Sequence, residues 1–186
     1  MKSFLKFSTV LLFVTLAWSV HGQIALRGGV NYSNISIDGG DIVTETDSKS
    51  GLQGGIMLTM GLGEKLAFRP GAILSIKGYK LNNENIDITY LEIPASFLFY
   101  FASSRDGLYV ELGPYVGAQL SNDLEDLGGD LKTLDFGANI GVGIELGRVG
   151  VGINYGYGLG NIIDGDVTTS AEAKNKNFGV FAYIEF

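Results

Sequence analysis

The chain has 186 residues, enough for one domain, with 46% hydrophobic residues, 28 glycines, no cysteine and a formal net charge of −7. Without cysteine there is no disulfide framework, thiolate metal site or cysteine nucleophile. An acidic chain is also poorly matched to nucleic acid, whose binding depends on Lys and Arg neutralising phosphates.

The first segment, MKSFLKFSTVLLFVTLAWSVHG, sets Lys2 and Lys6 ahead of an apolar run from Phe7 to Trp18 and ends on small residues at Val20 and Gly22. That order predicts a secretory signal peptide over residues 1–22, cleaved before Gln23, and a mature domain over 23–186. The apolar run is short of the ~20 residues a spanning helix needs. Removal takes both lysines and no acidic residue, so the mature chain is more acidic still. His21, the only histidine, leaves with the segment.

No later segment sustains a 3.6-residue period; what recurs is alternation with period 2, the mark of strands with two unlike faces. The first strand is predicted over 24–35. Leu52, Ile56, Leu58, Met60 and Leu62 share one face of a strand over 51–62, and after the turn Gly63-Glu64-Lys65 the residues Leu66, Phe68, Ala72, Leu74 and Ile76 resume that face over 66–79. Leu91, Ile93, Phe97, Phe99 and Phe101 (87–101) pass through ASSRDG to Leu108, Val110, Leu112, Val116 and Leu120 (108–121).

The stretch GANIGVGIELGRVGVGINYGYGLGN, residues 137–161, holds nine glycines and several GxG spacings. A dinucleotide loop needs a strand, a tight turn and then a helix; here strand patterns lie on both sides and no helix follows. Apolar residues occupy the even positions from Leu134 to Leu146 and the odd positions from Val149 to Leu159. A two-residue turn at Gly147-Arg148 explains the change of parity, because it sets Leu146 opposite Val149, and opposed residues share a face. These are the strands over 133–146 and 149–160. The closing NFGVFAYIEF gives the eighth, over 177–186.

Connections after strands 1, 3, 5 and 7 are long and polar (36–50, 80–86, 122–132, 161–176), and those between are short. That asymmetry belongs to an outer-membrane barrel with short periplasmic turns, and an even strand number puts both termini in the periplasm. A soluble barrel would also alternate. The glycine-rich second face separates the two, since it is wrong for a water-facing wall and right for the crowded interior of an eight-stranded barrel, which side chains fill. Aromatic residues near the strand ends form two girdles: Phe68, Phe99, Phe101 and Phe186 toward the periplasm, Tyr32, Phe136, Tyr157 and Phe178 toward the outside. The predicted fold is all-β: an eight-stranded antiparallel up-and-down transmembrane β-barrel in the cell outer membrane.

Segments GGVNYSNI, YLEIPASFLFYF (90–101), GLYVELGPYVG (107–117) and the closing strand resemble the PorT-type outer-membrane β-barrel family of Bacteroidota. Leu91-Glu92-Ile93-Pro94 and Gly113-Pro114-Tyr115 are the most specific parts. The resemblance implies an eight-stranded outer-membrane barrel and carries over no catalytic residue; its namesake assists protein secretion. The last ten residues also resemble the signal read by the barrel-assembly machinery.

Among inward-facing positions, Arg27, Arg69 and Lys77 stand against Glu92, Glu111, Asp135, Glu145 and Glu185. Counting from the turns puts Arg27, Arg69, Glu111, Glu145 and Glu185 in the periplasmic half and Lys77 level with Glu92. Unpaired charge is costly in a low-dielectric interior, so these residues are expected to form ion pairs that plug the lumen; the alternative is a small pore lined by them. The outer loops are acidic, with Asp38, Asp41, Glu45 and Asp47, then Asp123, Glu125, Asp126 and Asp130, then Asp164 and Asp166. They lack the EF-hand pattern and are assigned to solvent. With neither His nor Cys in 23–186, the histidine base that several enzymatic barrels use is missing, and no spacing argues for a carboxylate-only mechanism. The chain is expected to be a non-enzymatic envelope component or scaffold for its loops, with no cofactor or metal. The alternatives are a secretion or transport accessory and a small channel. Expected partners are outer-membrane lipids and lipopolysaccharide, the assembly machinery and other envelope proteins.

Overall fold

The computed structural model describes residues 22–38, 43–45, 47–81, 84–102, 105–122, 134–160 and 172–186. The bulk of the predicted signal segment and the acidic residues of the outer connections fall outside the residues whose side chains it describes.

Among the described residues nine strands form: β1 (Gly22–Asp38), β2 (Val43–Glu45), β3 (Asp47–Gly61), β4 (Leu66–Leu81), β5 (Glu84–Tyr100), β6 (Gly107–Asn122), β7 (Leu134–Leu146), β8 (Val149–Gly158) and β9 (Glu172–Glu185). Each of β3 to β9 pairs antiparallel with its neighbour, and β1 pairs with both β3 and β9, so eight strands close into a barrel with no free edge. β2 is a short extra element that pairs Glu45 with Ser36 and continues, beside β1, the place β3 takes lower down.

Six of the eight barrel strands outrun the predicted ones at their outer ends, while β7 and β8 stop one and two residues short. The connection expected over 80–86 is mostly ladder, since β4 and β5 stay in register to Leu81↔Glu84. The sequence there, LNNENID, has only Leu81 and Ile86 as apolar residues, so the hydrophobic alternation fades while the backbone hydrogen bonds continue; above the membrane a ladder needs no apolar side.

The faces follow parity. Ile24, Leu52, Ile56, Leu74, Ile93, Leu112, Ile140 and Ile153 all lie between 42% and 64% exposed, while Ala25, Ala67, Tyr90, Leu98 and Tyr109 are fully buried. In a water-soluble protein that distribution would be inverted; here the exposed aliphatic band is the lipid-facing surface. Near its ends Phe99, Phe101, Phe186, Tyr32, Phe136, Tyr157 and Phe178 are exposed, and half-buried Phe68 meets Phe97 with ring centroids 5.0 Å apart.

The β7–β8 hairpin has the register read from parity, with Leu146↔Val149, Val142↔Ile153 and Ala138↔Tyr157 opposed. Gly147 takes φ 63° at the first central position, the glycine-first arrangement of a type II′ turn. The two motifs of the family resemblance face each other across β5 and β6, where Pro94 lies opposite Tyr115.

Candidate functional site: the lumen

Three tiers of side chains cross the barrel. The periplasmic tier is built on Arg69 of β4, which is 2% exposed. Its Nη2 donates to Glu145 Oε2 (2.9 Å) and Glu185 Oε1 (3.1 Å), and its Nε donates to Thr59 Oγ1 (2.8 Å). Thr59 donates in turn to Glu185 at 2.6 Å, while the Tyr100 and Tyr183 hydroxyls donate to Glu145 Oε2 at 2.9 and 2.5 Å. The guanidinium carbon stands 4.5 Å from the Tyr183 ring centroid and 5.6 Å from that of Tyr109, distances at which ring quadrupoles attract a cation. Six strands are tied together by one arginine.

The middle tier is built on Arg27 of β1. Its Nη2 donates to Gln53 Oε1 (3.3 Å) and Asn154 Oδ1 (3.1 Å), and its guanidinium lies 3.6 Å from the Phe181 ring centroid. Among the described residues it has no carboxylate within ion-pair distance; it is held by amides and a ring. Beside it a cavity of about 20 Å³, the size of one water, is lined by Arg27, Gln53, Glu92, Glu111, Asn139 and Asn154.

In the outer tier, Lys77 forms an ion pair with Glu92, and its Nζ lies 5.4 and 5.0 Å from the Tyr90 and Tyr115 ring centroids. Asp135 Oδ2 accepts from Tyr115 Oη (3.2 Å) and Asn175 Nδ2 (3.0 Å), while Asn31 Nδ2 donates to Ser75 Oγ at 2.8 Å. Nearby, Lys49 forms an ion pair with Asp87.

Glycines make room for the rings. A Cβ on Gly143 would overlap the Tyr109 phenol and one on Gly150 the Tyr183 phenol, and one on Gly152 would sit 2.7 Å from Phe181 Cζ. The narrow bore of an eight-stranded barrel has room for these three rings because the positions beside them are glycine.

Below the first tier a vestibule of about 340 Å³ opens to the periplasm, with Thr59, Tyr100 and Glu145 on its floor and Arg105 and Asp106 at its rim. Asp106 Oδ1 accepts from the amides of Gly107 (3.1 Å) and Gly147 (3.2 Å), joining two turns.

Seven of the charged residues singled out by parity, Arg27, Arg69, Lys77, Glu111, Asp135, Glu145 and Glu185, are buried, and Glu92 is half-buried. The structure joins Arg69 to Glu145 and Glu185, and Lys77 to Glu92. It brings Glu111 to the same cavity as Arg27 without joining them. The inward aromatics Tyr90, Tyr100, Tyr109, Tyr115, Phe181 and Tyr183 were not read from the sequence. The signal was present: all but Tyr90, which follows Thr89, lie between two outward apolar positions, as Tyr100 does between Phe99 and Phe101.

A search of curated proteins finds no match. Among solved structures, Neisserial surface protein A (NspA) aligns with a TM-score of 0.55 at 16% identity, over 88% of this chain and 97% of that one. Ail, the attachment invasion locus protein of Yersinia pestis, solved with the heparin analogue sucrose octasulfate, aligns with a TM-score of 0.52 at 14% identity, over 89% and 99%. At such identities the likeness concerns the fold. The sequence profile of one family, described as the outer membrane protein beta-barrel domain, matches residues 22–164. With the closed eight-stranded barrel and its exposed apolar band already in view, this match shows that the chain belongs to the outer membrane protein beta-barrel domain family and resides in the outer membrane.

Proposed function

We propose that this chain is a plugged, non-enzymatic barrel that serves the outer membrane as a structural component and as a scaffold for its outer loops. The observation that carries this reading is the tiered lumen, to which all eight barrel strands contribute side chains. Arg69 with its two carboxylates, and Lys77 with Glu92, span the space an aqueous pore would need. In this reading Arg27, Arg69, Lys77, Glu92, Glu111, Asp135, Glu145 and Glu185 are structural. Glu145, Glu185 and Asp135 accept several hydrogen bonds each, which suits them to holding walls together better than to moving protons. Residues 1–22 direct export and are removed, and the assembly machinery reads the final strand. The test is conductance of the purified chain in planar bilayers, where none is expected. Discrete current steps that change in Arg69→Ala or Glu111→Gln would replace this reading with that of a small channel.

A second reading, an accessory of a secretion machine, is favoured by the PorT-type resemblance in Leu91-Glu92-Ile93-Pro94 and Gly113-Pro114-Tyr115. Cross-linking in intact cells decides between them: specific capture of secretion components supports the accessory, and their absence supports the scaffold.

A further inference from the structure

The outward file of β9 runs apolar from Phe186 through Ile184, Ala182, Val180 and Phe178 and then changes character at Lys176 and Lys174. The outward files of β1, β6, β7 and β8 carry no charged residue over the described span (for β1, residues 22–34). Two cations therefore stand together where the apolar band ends, on a chain that is acidic overall. The short turns, Gly22 at the start of β1 and Phe186 lie at the other rim, so this boundary belongs to the outer leaflet.

The surroundings of Lys176 are shaped. Asn34 of β1 and Tyr157 of β8 are its register partners, and one step down the file Phe178 lies between Tyr32 and Tyr155. A pocket of about 280 Å³ is lined by Tyr32, Asn34, Ser48, Tyr155, Lys176 and Phe178. Its upper part offers an ammonium, an amide and a hydroxyl, and its lower part three aromatic rings. Two residues further down the same two files, at Val180 and Ile153, an apolar furrow of about 320 Å³ begins, which Leu108, Val142, Ile144 and Val151 continue.

We infer that Lys176, Asn34 and Ser48, above the Tyr32, Tyr155 and Phe178 rings, form a site for a phosphorylated glycolipid of the outer leaflet. A phosphate on the headgroup sits at Lys176, with Lys174 one step beyond it. Sugar hydroxyls meet Asn34 and Ser48, and an acyl chain follows the furrow below Val180. Cations flanking an aromatic belt attract anionic headgroups across a short distance, and the pocket adds the shape that a lone surface lysine lacks. The inference rests on the outer-membrane placement and is independent of whether the lumen conducts.

The test uses the folded full-length protein in neutral detergent, with lipid A bearing two phosphates and its dephosphorylated form as probes, and adducts counted by native mass spectrometry. The phosphorylated form is expected to be retained, and the dephosphorylated form lost. Lys176→Gln should lower retention about fivefold and Lys176→Gln with Lys174→Gln about thirtyfold, as about 1 kcal/mol per cation near the surface implies. Lys176→Arg, which keeps the charge, should retain the lipid, and Lys65→Gln at the periplasmic rim should change nothing. Equal retention by wild type and the double variant overturns the site. Displacement of the lipid by millimolar inorganic phosphate alone would also overturn it, by showing a free-phosphate site. Heat-modifiable migration is read on every sample, so that a failed barrel is told apart from a failed site.

Discussion

Arg69 and Glu145 lie 76 residues apart in the sequence and 2.9 Å apart in the lumen, and Glu185 approaches the same guanidinium at 3.1 Å. One cation thus serves two buried carboxylates, and the two kinds of deletion are unequal. Arg69→Met leaves both carboxylates without their cation and should cost about 3–5 kcal/mol. Glu185→Gln removes the surplus charge while leaving the Arg69–Glu145 pair, and should cost less than half as much. Urea unfolding in lipid vesicles measures both; equal losses would show that Glu185 matters to the tier as much as Arg69.

Gly143 faces inward against Tyr109, and Gly152 against Phe181, where an added Cβ would also stand 3.0 Å from the Val142 carbonyl oxygen. Gly143→Trp and Gly152→Trp should therefore abolish the heat-modifiable form. Val142→Leu, on the lipid side, should cost under about 1 kcal/mol, against about 1–3 kcal/mol or more for overpacking an interior. Adding Tyr109→Ala to Gly143→Trp should recover part of the folded fraction, since it vacates the overlapped volume.

In the plugged reading the lumen is closed at three heights, by the tiers at Arg69, Arg27 and Lys77. Arg69→Ala with Glu145→Ala is expected to enlarge the vestibule without giving conductance, because Lys77, Glu92, Tyr90 and Tyr115 still obstruct the outer half. Adding Lys77→Ala and Glu92→Ala, together with Arg27→Ala and Phe181→Ala in the middle tier, should produce small current steps in planar bilayers. Current from the first pair alone would place the whole barrier at the periplasmic tier.

Ile153 and Asn34 both point outward, one within the apolar band and one just beyond it. An arginine at Ile153 should cost about 2–4 kcal/mol and one at Asn34 about 0–1 kcal/mol, the depth dependence of charge on a lipid-facing wall. Folding titrations of both variants in vesicles check the difference, and equal costs would contradict the membrane boundary drawn through Tyr32 and Phe178.

The wall of this barrel is legible in its sequence because each residue there answers to one choice, lipid or lumen, repeated every second position. That is why Leu146↔Val149 and the pairs above it could be placed from parity alone. The lumen is less legible because contacts across it join strands at no fixed sequence spacing. Parity puts Arg27 and Glu111 inside, yet nothing local says that Arg27 takes Gln53, Asn154 and the Phe181 ring instead of a carboxylate. The outer ends are illegible for a third reason: at LNNENID the ladder continues after the hydrophobic code has stopped.

The last strand reaches every level of the interior. β9 brings Tyr183 and Glu185 to Arg69, Phe181 to Arg27, and Asn175 to Asp135. The same strand forms the seam with β1, from Ala25↔Glu185 to Asp38↔Glu172. Zipping that seam and bolting the lumen are therefore one event, and a barrel whose final strand has not docked is unlatched at all three heights at once.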